Sequence, residues 1–159
     1  MTPEEFLARS QRQVAAMQRA SEASVKVGLP AGEAATSKAY TSDGNKPAAT
    51  VLEVGIAHEY GTQYVVMRSW LRGPFETKRA DIVKTIDNQF KMVMENDLDI
   101  EVALGRIGLA ALNIVRKAFT TRGYGVWLDI KQATKDAKGS DQVLVDIGLL
   151  RNSTTWVVE

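Results

Sequence analysis

The sequence predicts an α+β fold: a small antiparallel sheet packed against two long helices, with an N-terminal helix and a long polar loop or hairpin. Three observations lead there. Phe75, Ile82, Ile86, Phe90 and Val93, spaced 7, 4, 4 and 3, trace one face of a helix. Leu104, Ile107, Ala111, Ile114 and Ala118 trace a second, more apolar one. Before and after them stand short β-rich runs at 23–29, 50–57 and 154–158.

The elements follow in chain order. Thr2-Pro3-Glu4-Glu5 is a helix start, with Thr2 as cap, Pro3 at the first helical position and Glu5 closing a capping box. That helix is expected over residues 1–21, with Leu7, Ser10, Val14 and Met17 on one stripe. The stripe is thin, so the helix is expected on a surface or against a neighbouring subunit, as a peripheral contact arm. Ala23–Leu29 alternates as a strand and stops at Pro30. Residues 30–48 are small and polar, with turn chemistry at Asp43-Gly44-Asn45 and Pro47, and read as a long loop or a hairpin tip. Thr50–Ala57 (TVLEVGIA) reads as the best-buried strand, Gly61 breaks the chain, and Tyr64–Met67 can extend as another short strand.

A second helix is expected from Pro74 to about Asn96, with Lys78, Arg79, Lys84, Asp87 and Lys91 on its solvated side. Asp97 and Asp99 offer caps for a third, from Ile100 to Thr120, in which Gly105, Gly108 and Ala111 permit close backbone approach. Gly123 and Gly125 end it. Trp127–Ile130 is a short apolar stretch, residues 131–142 a helical turn plus loop, and Val143–Val145 lead to Asp146 as the cap of a turn through Leu149-Leu150-Arg151. A terminal strand, Thr154–Val158, closes the sequence. The expectation is a single domain spanning 1–159.

Composition excludes more than it suggests. With no Cys there is no disulfide framework, thiolate zinc site or thiol catalysis, and one His forbids a multi-histidine metal site. Twenty Lys+Arg against 19 Asp+Glu give a net charge of +1, hence no global pull toward nucleic acid or an anionic membrane. The first twenty residues carry no signal-peptide core and no window has the roughly 20 apolar residues of a membrane span, so a soluble protein of a cytosol-like compartment is expected. The N-x-T triplet at Asn152 then reads as chance.

Catalysis gains no positive support. His58-Glu59 lacks the second histidine of a metalloprotease helix, and no nucleophile-elbow pattern surrounds any serine. Asp97 with Asp99, or Asp141 with Asp146, could pair as acid and base, but helix capping and loop solvation account for them more simply. No phosphate-binding glycine loop occurs. Arg116, Lys117 and Arg122 suit the C-terminal end of a helix dipole, and Lys131, Lys135 and Lys138 are balanced by Asp129, Asp136 and Asp141. No catalytic residue, cofactor or metal is expected.

Four stretches carry a resemblance. Val51–Thr62 (VLEVGIAHEYGT) ends in the acidic-aromatic-Gly-Thr element Glu59-Tyr60-Gly61-Thr62, and Val66–Arg72 (VMRSWLR) is similar to a proline-rich IPARPFLR segment, with Met67 at the first proline position and Ser69-Trp70 in place of Pro-Phe. The small-residue helix Gly105–Phe119 follows. Last come Trp127, Ala133-Thr134, Lys138 and Leu144-Val145-Asp146-Ile147-Gly148-Leu149-Leu150-Arg151-Asn152-Ser153, with Ile147 where threonine is usual. In this order, over about 110 residues from Val51 to Val158, they resemble the neck or tail-completion proteins of long-tailed bacteriophages (the virion-morphogenesis, putative tail-component group).

The resemblance implies a non-enzymatic virion component, assembled in the host cytoplasm as a homo-oligomeric ring, commonly of six subunits, at the head–tail junction. Its partners would be itself, the connector or head-completion proteins, and the tail-tube or terminator proteins, with genomic DNA as passing cargo and no membrane. A tail terminator capping the tube is the alternative within that class, and a generic oligomeric binding module the alternative outside it. Candidate interface residues are Glu59, Tyr60, Thr62, Arg68, Trp70 and Arg72, with Asp43 and Asn45 on the polar segment. Arg68 and Arg72 flank Trp70, a combination suited to interfaces, whereas Trp70 on its own equally suits a core.

Overall fold

The structure, a computed structural model, describes residues 1–30, 32, 49–129, 136 and 148–159. Its elements are α1 (Pro3–Glu22), β1 (Val25–Gly28), α2 (Val51–Tyr60), α3 (Arg72–Thr77), α4 (Arg79–Asn96), α5 (Ile100–Thr120), α6 (Leu149–Ser153) and β2 (Thr155–Val158). The class is α+β, with one two-stranded antiparallel sheet and the long helix α5 packed against it through Trp156. Two compact units are present: Met1–Val27 with Arg79–Ala111 and Trp156–Glu159, and Gly28–Lys78 with Leu112–Thr155.

In the first unit α1 starts as its sequence dictates. Thr2 Oγ1 accepts from Glu5 N, and Glu5 Oε2 accepts from Thr2 N at 2.7 Å. The helix is then held by polar contacts. Arg9 Nη2 donates to the carbonyls of Met94 (3.0 Å) and Glu95 (2.8 Å), and Gln13 Nε2 donates to Met94 O at 2.7 Å. These are the orphan carbonyls at the end of α4, where a cation also meets the negative pole of the helix dipole. Arg19 binds Glu101 at 2.6 Å, and Arg9 and Arg12 lie 3.7 and 3.8 Å from Asp97. No residue of α1 is buried.

The sheet of this unit is small. Ser24 and Glu159 exchange backbone hydrogen bonds of 2.8 and 3.0 Å, and Lys26 pairs with the Glu159 carboxylate. Two strands alone are marginal; here Trp156 anchors them against α5. A β-carbon at Gly108 would stand 2.4 Å from the Trp156 indole, so the close approach expected at Gly108 is taken up by an aromatic ring. On α5, Leu104, Ile107, Ala111 and Ala118 are buried with Ala103, Leu112, Val115 and Phe119, while Ile114 is half-buried.

Three expectations are corrected. Thr50–Ala57 is not a strand but the start of α2. Thr50 is the cap of a second capping box: its Oγ1 accepts from Glu53 N at 3.1 Å and Glu53 Oε2 accepts from Thr50 N at 2.8 Å. The T-x-x-E signal and the i, i+4, i+8 spacing of buried Val51, Gly55 and Glu59 outweigh the β-branched composition. Tyr64–Met67 is not a strand: Tyr64 and Val65 lie in a bend in which Thr62 Oγ1 accepts from both of their N–H groups, and Val66 and Met67 run on without regular structure. The expected Pro74–Asn96 helix is two, α3 and α4, separated at Lys78, and it begins two residues earlier. Pro74 then falls in the first turn, where a missing N–H costs nothing.

The predicted strands at Ala23–Leu29 and Thr154–Val158 are β1 and β2, and the predicted third helix has the bounds of α5. The 30–48 loop or hairpin, the turn within 131–142, Val143–Val145 and the Asp146 cap lie outside the described residues, apart from Pro30, Gly32 and Asp136.

Glu53 is held below its ordinary pKa of 4.5, first by the Thr50 backbone N–H and then by its hydroxyl. A lowered carboxylate stabilises fully above its unfolded pKa, and the contribution disappears as pH falls through the folded one. Thr50→Ala should cost about 1 kcal/mol in chemical denaturation at neutral pH. Glu53→Gln should flatten part of the acid limb of melting temperature against pH below 4.5.

Candidate protein interface

In the second unit α2 has two kinds of face. Val51, Gly55 and Glu59 turn inward, and Leu52, Ile56 and Tyr60 lie exposed. Gly55 sits tightly inside: a β-carbon there would stand 3.2 Å from Leu150 and 3.3 Å from Leu29 and Trp70, so those side chains would have to give by a few tenths of an ångström. Close approach of α2 to α6 follows from that position.

Glu59 is only 7% exposed, and its carboxylate is fully engaged. Oε1 accepts from Ser69 Oγ at 2.8 Å and from Arg72 N at 3.1 Å, and Oε2 accepts from Leu71 N at 2.9 Å. Leu71 and Arg72 open α3, so Glu59 does from a distance what a local cap residue would do, placing a negative charge at a helix N-terminus. Ser69 Oγ adds a bond from Gly73 N at 2.7 Å.

The chain between these groups reverses at Gly61. Its φ of +76° is a conformation that favours glycine, and a β-carbon would stand 3.1 Å from that of Met67. The glycine expected where the chain leaves a strand thus serves the exit from a helix. Arg68 N donates to His58 O at 2.7 Å, and its guanidinium reaches Leu128 O (3.0 Å) and Asp129 O (3.2 Å). Burial draws the Arg68 pKa below its ordinary value, and Asp129 opposes that shift.

Beneath the turn lies an aromatic core. Trp70, 3% exposed, donates its indole N–H to Gly55 O at 2.8 Å, and Trp127 donates to Ser69 O at 3.1 Å. Phe119 stands between them, its ring centroid 6.1 Å from that of Trp70 and 5.8 Å, edge-on, from that of Trp127.

The candidate residues therefore separate into two sets. Glu59, Arg68 and Trp70 are buried and hold the turn; Tyr60, Thr62 and Arg72 are exposed on it. Tyr60 is 66% exposed, with the Arg72 guanidinium 5.9 Å from its ring centroid and Glu76 3.7 Å from Arg72. Asp43 and Asn45 lie outside the described residues. Around the exposed set run Leu52, Ile56, Tyr64, Val66 and Met67, and the Arg68 bonds bring in Val126 and Leu128, all exposed. Large exposed apolar side chains of this kind are a feature of interaction surfaces.

Chemistry-bearing residues are otherwise engaged. Asp99 Oδ1 accepts from Glu101 N and Val102 N and caps α5, Asp97 faces Arg9 and Arg12, and His58 is half-buried in the last turn of α2. Asp97 and Asp99 border a cleft of about 350 Å³ in the first unit, with Arg12, Val93 and Leu98. Arg116 donates to Thr154 O and Arg122 stands 3.7 Å from Asp129. Asp141 and Asp146 lie outside the described residues. Among the described residues no three His, Asp or Glu gather as a metal site, and no helix is long and apolar enough to cross a membrane.

Compared with family models, curated proteins and solved structures, the chain finds no significant match.

Glu59→Ala should destabilise the second unit by roughly 2 kcal/mol, since it strands three part-buried donors, and Glu59→Gln should cost about half as much. Denaturant unfolding followed by Trp70 and Trp127 fluorescence measures both. Equal stability of wild type and Glu59→Ala would remove the bracket from the account.

Proposed function

We propose that this chain is a structural virion protein that forms a homo-oligomeric ring at the head–tail junction of a long-tailed bacteriophage, where it completes the upper end of the tail and lets DNA pass. The single observation that carries the reading is the ordered set of blocks from Val51 to Val158. The geometry supports it in one respect. The first two blocks, 51–62 and 66–72, are bound to each other through Glu59, and they brace an exposed apolar surface of the kind a ring subunit offers its neighbours.

On this reading the subunit meets its neighbours through Tyr60, Thr62 and Arg72, and Glu59, Arg68 and Trp70 serve as support. The near-neutral charge of +1 suits a ring through which DNA slides. In a tail terminator the same face would meet the last ring of tail-tube protein; in a neck protein it would meet the connector.

Arg72 is exposed and its side chain makes only a surface ion pair with Glu76 and a contact with the Tyr60 ring, so Arg72→Glu should leave the melting temperature within about 2 °C of wild type. In the phage that encodes the chain, the same variant should leave filled heads and finished tails unjoined in electron micrographs. Cryo-EM of wild-type particles should find the protein at the neck. Normal infectious yield from Arg72→Glu would contradict the interface assignment, and absence of the protein from purified virions would contradict the function.

A further inference from the structure

A second docking surface lies on α1 and does not depend on the reading above. The helix carries a 3-4-3-4 seam, Leu7, Ser10, Val14, Met17 and Ser21, the spacing with which one helix packs along another. Arg9, Arg12 and Arg19 tie the other side to α4, to Asp97 and to Glu101, and Gln13 on the seam's border donates to Met94 O, so Leu7, Val14 and Met17 are left outside. Leu7 and Val14 are both 58% exposed, Met17 is 51% exposed, and Phe6 beside them is 63% exposed. The large apolar side chains of the helix stand outside, while Arg9, Gln13 and Arg19, with Ala16 and Ala20, are half-buried, the reverse of an ordinary surface helix.

The charge pattern says what covers it. Glu5, Arg9, Arg12, Arg19 and Glu22 all lie off the seam and its borders. The border positions are Phe6, Gln11, Gln13, Gln18 and Ala20, with Glu4 the one charge among them. Flanking charges normally set partner choice in helix pairs. Uncharged borders give a charged partner nothing to pair with, and they spare an identical helix any like-charge repulsion. A membrane surface fits less well, since the arginines that would face anionic headgroups are occupied by α4, Asp97 and Glu101.

We infer that α1 is a self-association surface, and that its occupant is α1 of a second copy of this chain, packed antiparallel. That direction seats Leu7 against Met17 of the other copy and Ser10 against Val14, a small residue against a larger one. The parallel direction would stack Ser10 on Ser10. Opposed helix dipoles also favour it. The contact is isologous, the same surface used on both copies, so it is separate from any ring contact made through the Tyr60 face.

The test uses the full chain. Light scattering across a concentration series should show a monomer–dimer equilibrium, and Val14→Glu should raise the dimer Kd by about tenfold or more. Circular dichroism and melting should stay unchanged, because Val14 touches no core. The chain has no cysteine of its own, so engineered thiols report this contact alone. A mixture of Ser10→Cys and Val14→Cys chains, oxidised, should give the mixed disulfide dimer in excess of both homodimers. Three outcomes overturn the proposal: a monomer at every concentration, a dimer insensitive to Val14→Glu, or a monomer that sediments with anionic phospholipid vesicles. The proposed virion role survives each of them, since it is tested through Arg72 and the particle.

Discussion

The second unit depends on one buried carboxylate. Glu59 is nearly without solvent, and such a charge persists only if hydrogen bonds replace the water it has lost. Ser69, Leu71 and Arg72 supply them. Those donors can converge only if the chain leaves α2 at a residue that accepts positive φ and returns at once, and Gly61 is that residue. The rest is fitted around the bracket. Trp70 follows Ser69 into the core and binds Gly55 O, Trp127 closes over Ser69 O, and Phe119 fills the space between the two indoles.

Bracing beneath and apolarity above are produced by neighbouring residues of the same turn. A turn whose backbone groups are held from below exposes Tyr60, Tyr64, Val66 and Met67 without the freedom to fold them inward. Docking onto such a surface costs little ordering entropy. Changes at Glu59, Gly61 or Trp70 therefore act on folding, and conservative changes at the exposed Tyr60 or Arg72 leave it largely intact. In α1 the same division is made differently, with arginines and a glutamine doing the anchoring and the apolar residues left outside.

What was legible in the sequence was whatever is encoded locally. The Thr2–Glu5 capping box and the seam of α5 sit within a few residues of the elements they specify, and β1 and β2 carry their own alternation. For α2 composition misled: TVLEVGIA is β-rich, yet its Thr50–Glu53 box and the spacing of Val51, Gly55 and Glu59 were open to reading and decide the structure. The candidate site was legible as a set of residues and not as an arrangement. Nothing local separates Tyr60 from Glu59, or Arg72 from Arg68; the division arises from bonds to residues 10 to 61 positions away. Phe119 could be placed on α5 but not between two tryptophans, because the partners of an aromatic ring leave no trace in its own segment.

The most direct test of this account is amide hydrogen exchange at Leu71 and Arg72 in the wild-type chain. Both amides open a short helix, a position that ordinarily exchanges freely unless a side chain accepts from it. If Glu59 binds them in a water-poor site, they should exchange as slowly as the buried amides of α5, and only when the unit unfolds. Exchange at the rate of an unstructured peptide would mean that the bracket is not formed in solution, and with it would go the braced surface on which the proposed docking rests.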